Sequence, residues 1–393
     1  MRILLLTPFL PDAAAAHGGG VYVATLARAL ASRAELGLVA LLREGEAAHL
    51  AAQPGPWRWS ATAPYHERPT GRGKHRHQLR MLWRWRRLPL VAAKYWNPAL
   101  PALLERARRE FRPDVVFVEL AQMAQYLPFL QGLPTILTDH EAGCPANTTT
   151  GLGRLGDRRD ARLWRRYVEH FYALASLVQA VTEEDAAVLR DALQRPVLVR
   201  PPTCQVAAQP VAPGGAPPRA LFLGDYSHQP NPEAATILVR EVLPRLRAAV
   251  PDAELWLAGP HAERLGPLRG QPGVRVVGFA PDLRELFGQV RLLLAPLFSG
   301  GGFRMKALAA LGHGLPVVTN ALGARGCTAP PPARAVCEGT AALTTAALAL
   351  LQNPAAATTA GQAAYRWASA NLTGEAVAAG QLERAARLVA EHR

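Results

Sequence analysis

The stretch RLLLAPLFSGGGFRMKALAALGHGLPVVT, residues 291–319, contains the elements that decide the fold. Its apolar start, Arg291–Leu294, has the composition of a buried strand, and a loop containing Gly300–Gly302 follows it. A helix is predicted over Phe303–Leu311 and a second strand over Val317–Thr319. A strand, a loop, a helix and another strand in this order are typical of one βαβ unit of a parallel sheet.

The same alternation extends outward through both halves of the chain. In the first half we predict strands over Arg2–Thr7, Leu36–Leu42, Val115–Glu119, Thr135–Thr138 and Leu177–Val181, with a loop over Pro8–Gly20 and a helix from about Val21 to Arg33. In the second half we predict strands over Ala220–Leu223, Glu254–Ala258 and Val274–Val277, with helices over Glu233–Ala249 and Leu283–Phe287. Two successive series predict an α/β fold class with two doubly wound, Rossmann-like parallel-sheet domains. Because ligands bind beyond the carboxyl ends of such strands, we expect the two sheets to face a central cleft.

The chain of 393 residues is long for one hydrophobic core, and a compositional seam divides it. Residues 201–218 are rich in Pro, Ala and Gly, as linkers are. We therefore predict an N-terminal domain over 1–200, a linker over 201–218 and a second domain over 219–374. Residues 375–393 form a final amphipathic helix that could pack back on the N-terminal domain.

The composition is that of a globular protein, with 49% hydrophobic and 19% charged residues. No apolar run approaches the roughly 20 residues that a membrane-spanning helix needs. The apolar N-terminus could imitate a signal peptide, but Pro8 and Pro11 interrupt it, which favours a buried first strand. The four cysteines show no paired metal spacing, so we expect a reduced, cytoplasmic protein.

Positive charge is concentrated in one segment of a chain whose formal net charge is +14. Residues 68–104 contain no acidic residue but nine Arg or Lys, and four aromatic residues are interleaved among them over 83–96. Such a segment attracts anionic lipid headgroups or phosphorylated substrates. We expect peripheral membrane contact through residues 68–96, at the inner face of the membrane, and the competing interpretation is a solvated helix face. No nucleic-acid motif accompanies the segment, so nucleic acid is not an expected partner.

The glycine loop has the chemistry of an anion site. Glycines allow backbone amides to approach an anion, and a helix N-terminus adds favourable partial charge. Arg304 and Lys306 place formal positive charge beside that loop, and Lys306 is one of only three lysines in the chain. The combination suits a diphosphate leaving group, whereas the alternative is a surface cation whose stem lies along apolar residues.

These motifs resemble a known family. The segment Gly300–Lys306, followed by Gly312–Thr319, looks like the donor-site region of group 1, or family-four, glycosyltransferases of GT-B fold. Phe222–Asn231 is similar to the loop that opens their second domain, and the resemblance runs nearly continuously from about residue 219 to 330. In the first half it is weaker and depends on Gly18–Gly20 and Leu163–Leu189.

The resemblance implies a function and a set of site residues. It implies sugar transfer from a nucleoside-diphosphate sugar, UDP- or GDP-linked, to an acceptor hydroxyl, with retention, in polysaccharide, glycolipid or glycoconjugate synthesis. Residues 1–200 would be the acceptor side and 219–374 the nucleotide-sugar-binding side. The implied donor-binding residues are Gly224, Asp225, His228, Asn231, Gly278, Phe279, Gly300, Gly301, Gly302, Arg304 and Lys306. The implied catalytic residues are His140, Arg304 and Lys306, and the implied phosphate- or acceptor-facing loop is Gly18, Gly19 and Gly20.

Some of these residues have ordinary structural explanations as well. His140 stands between Asp139 and Glu141, where it could act as a base or orient a hydroxyl, or the three could cap a helix. Asn231 precedes a proline, which is also common turn chemistry. The chain has no Asp-x-Asp pair of the kind that holds a metal–diphosphate complex, so we expect no metal and no other cofactor.

The sequence departs from the family at two positions. The family usually carries two glutamates eight residues apart, and the matching positions here are Gly301 and Ala309. This departure keeps two alternatives open. The chain could be a non-catalytic homologue that binds a sugar nucleotide or a glycan, or it could be a sugar-nucleotide epimerase of the same architecture.

Overall fold

The computed structural model divides the chain into two compact units. It describes residues 1–11, 18–43, 46, 50–51, 55–65, 72–141, 153–299 and 305–392. Unit 1 comprises Met1–Thr203 and Gly374–Arg393, and unit 2 comprises Cys204–Thr373. The first boundary therefore falls within the Pro-, Ala- and Gly-rich segment 201–218.

Unit 1 contains a seven-stranded sheet in the order β3-β2-β1-β4-β5-β6-β7, and all of its strand pairs are parallel. The strands are β1 Arg2–Thr7, β2 Glu35–Leu42, β3 Trp57–Pro64, β4 Val115–Glu119, β5 Thr135–Asp139, β6 Leu177–Ala180 and β7 Leu198–Val199. The helices are α1 Gly18–Ala31, α2 Arg72–Trp85, α3 Leu90–Lys94, α4 Leu100–Glu110, α5 Gly153–Phe171 and α6 Glu183–Leu193, with 3₁₀ turns over Ala121–Leu130 and Tyr172–Leu174.

The central strands are unbroken apolar runs because helices cover both faces of the sheet. Ile3 to Leu6 in β1 are at most 1% exposed, and every residue of β4 is buried. The sheet grows outward from β1 in both directions, because β1 pairs with β2 on one side and β4 on the other. The point between β1 and β4 is thus the topological switch point of unit 1, where ligands of doubly wound sheets bind.

Strand β3 is an element that the sequence analysis missed. It is an edge strand with a period of two, because Ala61 and Ala63 are buried while Arg58 and Ser60 are exposed. Its half-exposed tryptophans and terminal Pro64 are tolerated because β3 is the last strand of the sheet among the described residues.

The prediction of a loop over Pro8–Gly20 was wrong at its end. Helix α1 begins at Gly18, so Gly18–Gly20 form its first turn rather than a loop. Glycine has poor helix propensity, which argued for a later start. The first turn tolerates it because its amide groups lack intrahelical acceptors in any case.

Unit 2 contains a six-stranded parallel sheet in the order β10-β9-β8-β11-β12-β13. The strands are β8 Arg219–Leu223, β9 Glu254–Ala258, β10 Val274–Gly278, β11 Leu292–Leu294, β12 Val317–Thr319 and β13 Arg334–Val336. The helices are α7 Pro230–Ile237, α8 Leu243–Ala249, α9 Leu283–Gly288, α10 Met305–Gly312, α11 Gly339–Gln352 and α12 Pro354–Asn371, with 3₁₀ turns over Pro213–Gly215 and Ala262–Leu268.

The helix predicted over Glu233–Ala249 begins earlier and contains an irregularity. A π-helical turn, Leu238–Val242, separates α7 from α8. Pro244, in the first turn of α8, has no amide hydrogen and its ring would collide with a carbonyl one turn back. The π turn lies directly before the helix whose first turn contains this proline.

The last helix, α13 Gly374–Glu391, belongs to unit 1. It packs on α1, and a Cβ atom at Gly374 would lie 3.0 Å from that of Ala29. The Arg384 guanidinium also donates to the Val199 carbonyl at 3.2 Å. Within the described residues, no helix combines the length and apolar character needed to cross a bilayer.

Candidate active site

The switch point of unit 2 lies between β8 and β11, which pair directly with Ala220 opposite Leu292. The chain leaves β8 into the loop that begins at Gly224 and leaves β11 into the loop that begins at Ala295. Both loops therefore emerge at the same edge of the sheet, where a ligand of a doubly wound sheet is expected.

Three glycines mark the ends of three neighbouring strands at this edge. The Gly224 amide donates to the Ala258 carbonyl at 3.0 Å, and the Gly259 amide donates to the Gly278 carbonyl at 2.7 Å. Gly259 has a φ of +131°, and a Cβ there would lie 2.0 Å from the Gly224 carbonyl oxygen. A side chain at Gly224 or Gly259 would disrupt the close packing of the strand ends, whereas Gly278 has a φ of +81°, a backbone conformation that favours glycine.

Lys306 and Asn231 connect the two loops at the switch point. The Lys306 ammonium donates to Asn231 Oδ1 at 2.8 Å, and its Nζ lies 4.4 Å from the centroid of the Phe222 ring. Asn231 Nδ2 in turn donates to the Asp225 carbonyl at 2.8 Å. Lys306 is half-buried at the start of α10, so these contacts fix the direction of the ammonium group. An ammonium held in this way can also donate to a phosphate oxygen, because it carries three hydrogens.

Gly224 leaves room for that arrangement. A Cβ at Gly224 would lie 2.7 Å from Asn231 Cγ and 2.9 Å from its Oδ1, the atom that accepts from Lys306. A side chain at position 224 would therefore displace Asn231.

The loop after β11 is held by the strand beside it. Thr319 Oγ1 donates to the Ala295 carbonyl at 2.7 Å, and the Asn320 side chain accepts from the Leu297 amide at 3.1 Å and donates to the Leu297 carbonyl at 2.7 Å. Ser299 Oγ donates to Glu233 Oε2 at 3.1 Å. Glu233, on α7, is a carboxylate at this site that the sequence analysis did not select. Gly300, Gly301, Gly302 and Arg304 follow directly in the chain and lie outside the described residues.

The other predicted donor residues have varied surroundings. Asp225 Oδ1 accepts from Ser227 N at 2.8 Å and contacts His261 Nδ1 at 2.9 Å, so this carboxylate holds its own loop. Burial raises the pKa of Asp225, but the hydrogen bonds from Ser227 and His261 outweigh it and lower the pKa overall. His228 is exposed on the same loop, and Phe279 is 71% exposed just beyond β10.

His140 lies in unit 1, in a buried polar cluster at the carboxyl edge of the sheet. His140 Nε2 is 2.9 Å from Glu119 Oε2, and Arg200 Nη2 is 3.4 Å from the same ring nitrogen. Arg200 donates from Nη1 and Nη2 to the two oxygens of Glu119 at 2.7 and 2.6 Å, and from Nε to the Tyr22 hydroxyl at 2.6 Å. Glu119 and Arg200 are both 0% exposed.

The cluster carries fixed charges. Burial raises the pKa of the Glu119 carboxyl, but the charge and hydrogen bonds of Arg200, together with His140, outweigh it and lower the pKa to about 2. Burial also lowers the pKa of Arg200, but the charge of Glu119 raises it above its ordinary value overall. Burial raises the pKa of Tyr22 to about 12. Because the Glu119 carboxylate can only accept a hydrogen bond, we assign a proton to His140 Nε2, which donates to it.

Asp139, which precedes His140 in the sequence, is held by other groups. It accepts from the Tyr172 hydroxyl at 2.6 Å and from the Glu141 amide at 2.9 Å. In the sequence, Glu119 is a carboxylate that directly follows the apolar run Val115–Val118. Arg200 is a cation that directly follows another apolar run. Charged residues at the ends of short apolar runs were therefore the signal for this cluster.

The predicted residues thus fall into two groups. Gly224, Asp225, Asn231 and Lys306 contact one another in unit 2, with Gly278 linked to Gly224 through Gly259. In unit 1, His140 packs edge-on against Tyr22 in the first turns of α1, beside Gly18–Gly20, with ring centroids 5.2 Å apart.

Two family models match the chain. One, described as Glycosyltransferase Family 4, matches residues 16–202, and the other, described as Glycosyl transferases group 1, matches residues 217–353. Together they cover most of both units. No curated protein matches the sequence.

Solved structures share the fold. Sucrose-phosphate synthase from Thermosynechococcus elongatus has a TM-score of 0.68 at 18% identity, with both chains fully covered. HepE from Anabaena, in complex with UDP, has a TM-score of 0.68 at 16% identity, with 98% of this chain and 100% of that chain covered. A Listeria monocytogenes protein described as a UDP-N-acetylglucosamine 2-epimerase has a TM-score of 0.54 at 15% identity, with 98% and 95% covered.

Two Rossmann-like domains, each with a parallel sheet in the described residues, define the GT-B fold that these neighbours share. The chain belongs to the group 1 glycosyltransferases of GT-B fold, and it transfers glycosyl groups.

Proposed function

We propose that the donor is a nucleoside-diphosphate sugar and that its diphosphate binds at the switch point of unit 2. The observation that carries the proposal is Lys306, which Asn231 and Phe222 hold at the junction of two loops. The ammonium group of this lysine is held in one direction at the carboxyl edge of a parallel sheet. Such a group is suited to bind a phosphate, whereas a lysine that is only hydrated at the surface is not held in this way. Arg304, two residues earlier in the chain, would add a second charge to the same diphosphate.

UDP is the nucleotide with the most support. One structure of Anabaena HepE is a complex with UDP, and another, with a TM-score of 0.65, is a complex with UDP-glucose. GDP remains the competing donor nucleotide. The two cations supply the positive charge that a metal ion supplies elsewhere, so the proposed reaction needs no metal and no other cofactor.

We propose a retaining transfer. The bond between the anomeric carbon and the diphosphate oxygen breaks, the acceptor oxygen bonds to that carbon, and the acceptor proton leaves with the diphosphate. Lys306 and Arg304 stabilise the negative charge that develops on the leaving group. His140 is assigned a contact with the reacting sugar, with Nε2 held by Glu119.

The acceptor is a glycan, a small molecule or a lipid-linked sugar in polysaccharide, glycolipid or glycoconjugate synthesis. The cationic and aromatic segment 68–96 favours a lipid-linked acceptor at the inner face of a membrane, and hence a cytoplasmic enzyme.

Donor binding tests the proposal. We expect Lys306→Ala to weaken UDP binding by about 10- to 100-fold in isothermal titration, since a charge-assisted phosphate contact contributes about 1.5–3 kcal/mol. Lys94→Ala, which removes another of the three lysines but lies in unit 1, is the matched control and should bind normally. If Lys306→Ala binds UDP with the affinity of the wild type and has an unchanged melting temperature, the proposed diphosphate site is wrong.

Product analysis distinguishes the competing functions. With a panel of UDP-, GDP- and TDP-sugars and no acceptor, a transferase releases nucleoside diphosphate slowly by hydrolysis, whereas an epimerase yields an altered sugar. Binding without any turnover would favour a non-catalytic homologue, for which Gly301 and Ala309 at the usual glutamate positions are the reason. If no nucleoside diphosphate binds and no donor is consumed, the proposed function is wrong.

A further inference from the structure

Helix α2 presents large apolar side chains to solvent. Leu79 is 67% exposed, Leu82 45% and Trp83 66%. Their spacing of three and four residues puts them on one face of the helix. We call these three residues the outer patch. Single exposed apolar residues need no explanation, but a contiguous group containing a tryptophan indicates an interaction surface.

The opposite face fixes the rotation of the helix. Trp85 Nε1 donates to Asp160 Oδ1 at 2.7 Å, and the Arg159 guanidinium lies 4.9 Å from the Trp85 ring centroid. The Arg84 guanidinium lies 4.7 Å from the Trp96 ring centroid. Asp160 is 6% exposed, so turning the helix to bury the outer patch would take the Trp85 hydrogen bond away from a buried carboxylate and would break both ring contacts. The outer patch is therefore held outward.

Cations surround the outer patch. Arg80, Arg86 and Arg87 are exposed beside it, and the sequence contains no acidic residue between 68 and 104. Leucine and tryptophan on one side and arginine on the other are the features of a helix that lies in the plane of a membrane surface. A nucleic acid would use the arginines but gives the two leucines no role.

We propose that α2 docks on an anionic lipid surface. Leu79, Leu82 and Trp83 insert among the headgroups, while Arg80, Arg86 and Arg87 bind lipid phosphates. Docking does not depend on the proposed donor site, so each can fail without the other.

Vesicle flotation of the full chain tests the proposal. We expect the protein to float with phosphatidylcholine vesicles that contain about one third phosphatidylglycerol, and to float much less with phosphatidylcholine alone. Replacing the outer patch by Leu79→Ser, Leu82→Ser and Trp83→Ser should lower partitioning at least about tenfold. The matched control is Val188→Ser, an apolar residue of α6 that is 51% exposed in the same unit, and it should partition normally.

A second variant separates the contribution of positive charge to vesicle binding from the contribution of apolar insertion. Arg80→Gln, Arg86→Gln and Arg87→Gln together should reduce the preference for anionic over neutral vesicles by about 100-fold, because each nearby cation contributes roughly a fivefold factor. All variants should keep the melting temperature of the wild type, since the replaced side chains are solvent-exposed.

Two results would overturn the proposal. One is an outer-patch variant that floats like the wild type. In that case only the positive charges would bind the vesicles, and such a surface would bind duplex DNA as well. The other is a wild-type protein that ignores anionic vesicles but changes from dimer to monomer in light scattering when the outer patch is replaced. That result would assign the patch to a second copy of the chain.

Discussion

Replacing Arg200 by methionine tests whether the cluster around His140 is a true buried ion pair. Arg200 and Glu119 are fully buried and share two hydrogen bonds of 2.7 and 2.6 Å. Arg200→Met keeps the length and apolar volume of the side chain but leaves the Glu119 carboxylate without its cation. Breaking a buried pair in this way costs about 3–5 kcal/mol.

The pKa of Glu119 leads to a similar free energy for the interaction of this carboxylate with its surroundings. Its pKa is lowered from 4.5 to about 2, and each pKa unit corresponds to about 1.4 kcal/mol, so the surroundings stabilise the ionised form by roughly 3–4 kcal/mol. In a unit of this size, 1 kcal/mol shifts the melting temperature by about 2–4 °C. We therefore expect the calorimetric transition of unit 1 to fall by about 6–20 °C in Arg200→Met.

The double variant Glu119→Gln, Arg200→Met is the internal control. It removes both charges and keeps an acceptor for His140, so it should recover most of the lost stability. A melting temperature of Arg200→Met within about 2 °C of the wild type would refute the reasoning. A double variant as unstable as the single one would refute it as well.

The pH dependence provides a further check on the same variant. In the wild type the folded pKa of Glu119 is depressed, so its contribution is present above pH 4.5 and is lost as the pH falls toward about 2. Without Arg200, burial becomes the main influence and raises the folded pKa above its unfolded value. The stability difference between wild type and Arg200→Met should therefore shrink as the pH falls from neutral toward 4.5.

The other predictions concern the site in unit 2. Gly224→Ala should weaken UDP binding about tenfold in titration calorimetry, because its Cβ would displace Asn231, while Gly266→Ala, with nothing within 4 Å, should bind normally. Ala309→Glu restores a carboxylate that the family usually carries, and we expect it to raise donor turnover in a coupled assay, whereas Ala309→Gln should not. Glu233→Gln removes a carboxylate that Ser299 holds at the same loop, and we expect it to raise the KM for the donor with little change in melting temperature.

The parts of the fold that the sequence predicted are those buried on both faces. Strands β1 and β4 could be identified because helices on both sides require continuous apolar runs. Strand β3 was missed because an edge strand needs only one buried face, and its tryptophans are separated by arginine and serine. The start of α1 was misplaced because glycine has poor helix propensity, although the first turn of a helix tolerates it.

The residues of the candidate site also divide into those that the sequence predicted and those that it did not. Lys306, Asn231 and Gly224 were selectable because glycines and a rare lysine follow predicted strands, where ligands of parallel sheets bind. The partners of His140 could not be predicted from the sequence, because Glu119 and Arg200 are 81 positions apart and are brought together only by the order of the strands in the sheet. No local pattern records such a pairing, although each residue is a charge that directly follows or ends an apolar run.

The assignment of α13 to unit 1 has a consequence for how the protein is made. Unit 1 is discontinuous in the chain, because Gly374–Arg393 joins Met1–Thr203. A ribosome releases its product from the N-terminus onward, so the first domain to be synthesised lacks one of its own helices until the whole of the other has emerged. The face of α1 that receives Gly374 must therefore stay uncovered throughout that interval. Truncations at the C-terminus should accordingly damage the first domain, and chaperones should be needed most by chains that are nearly complete.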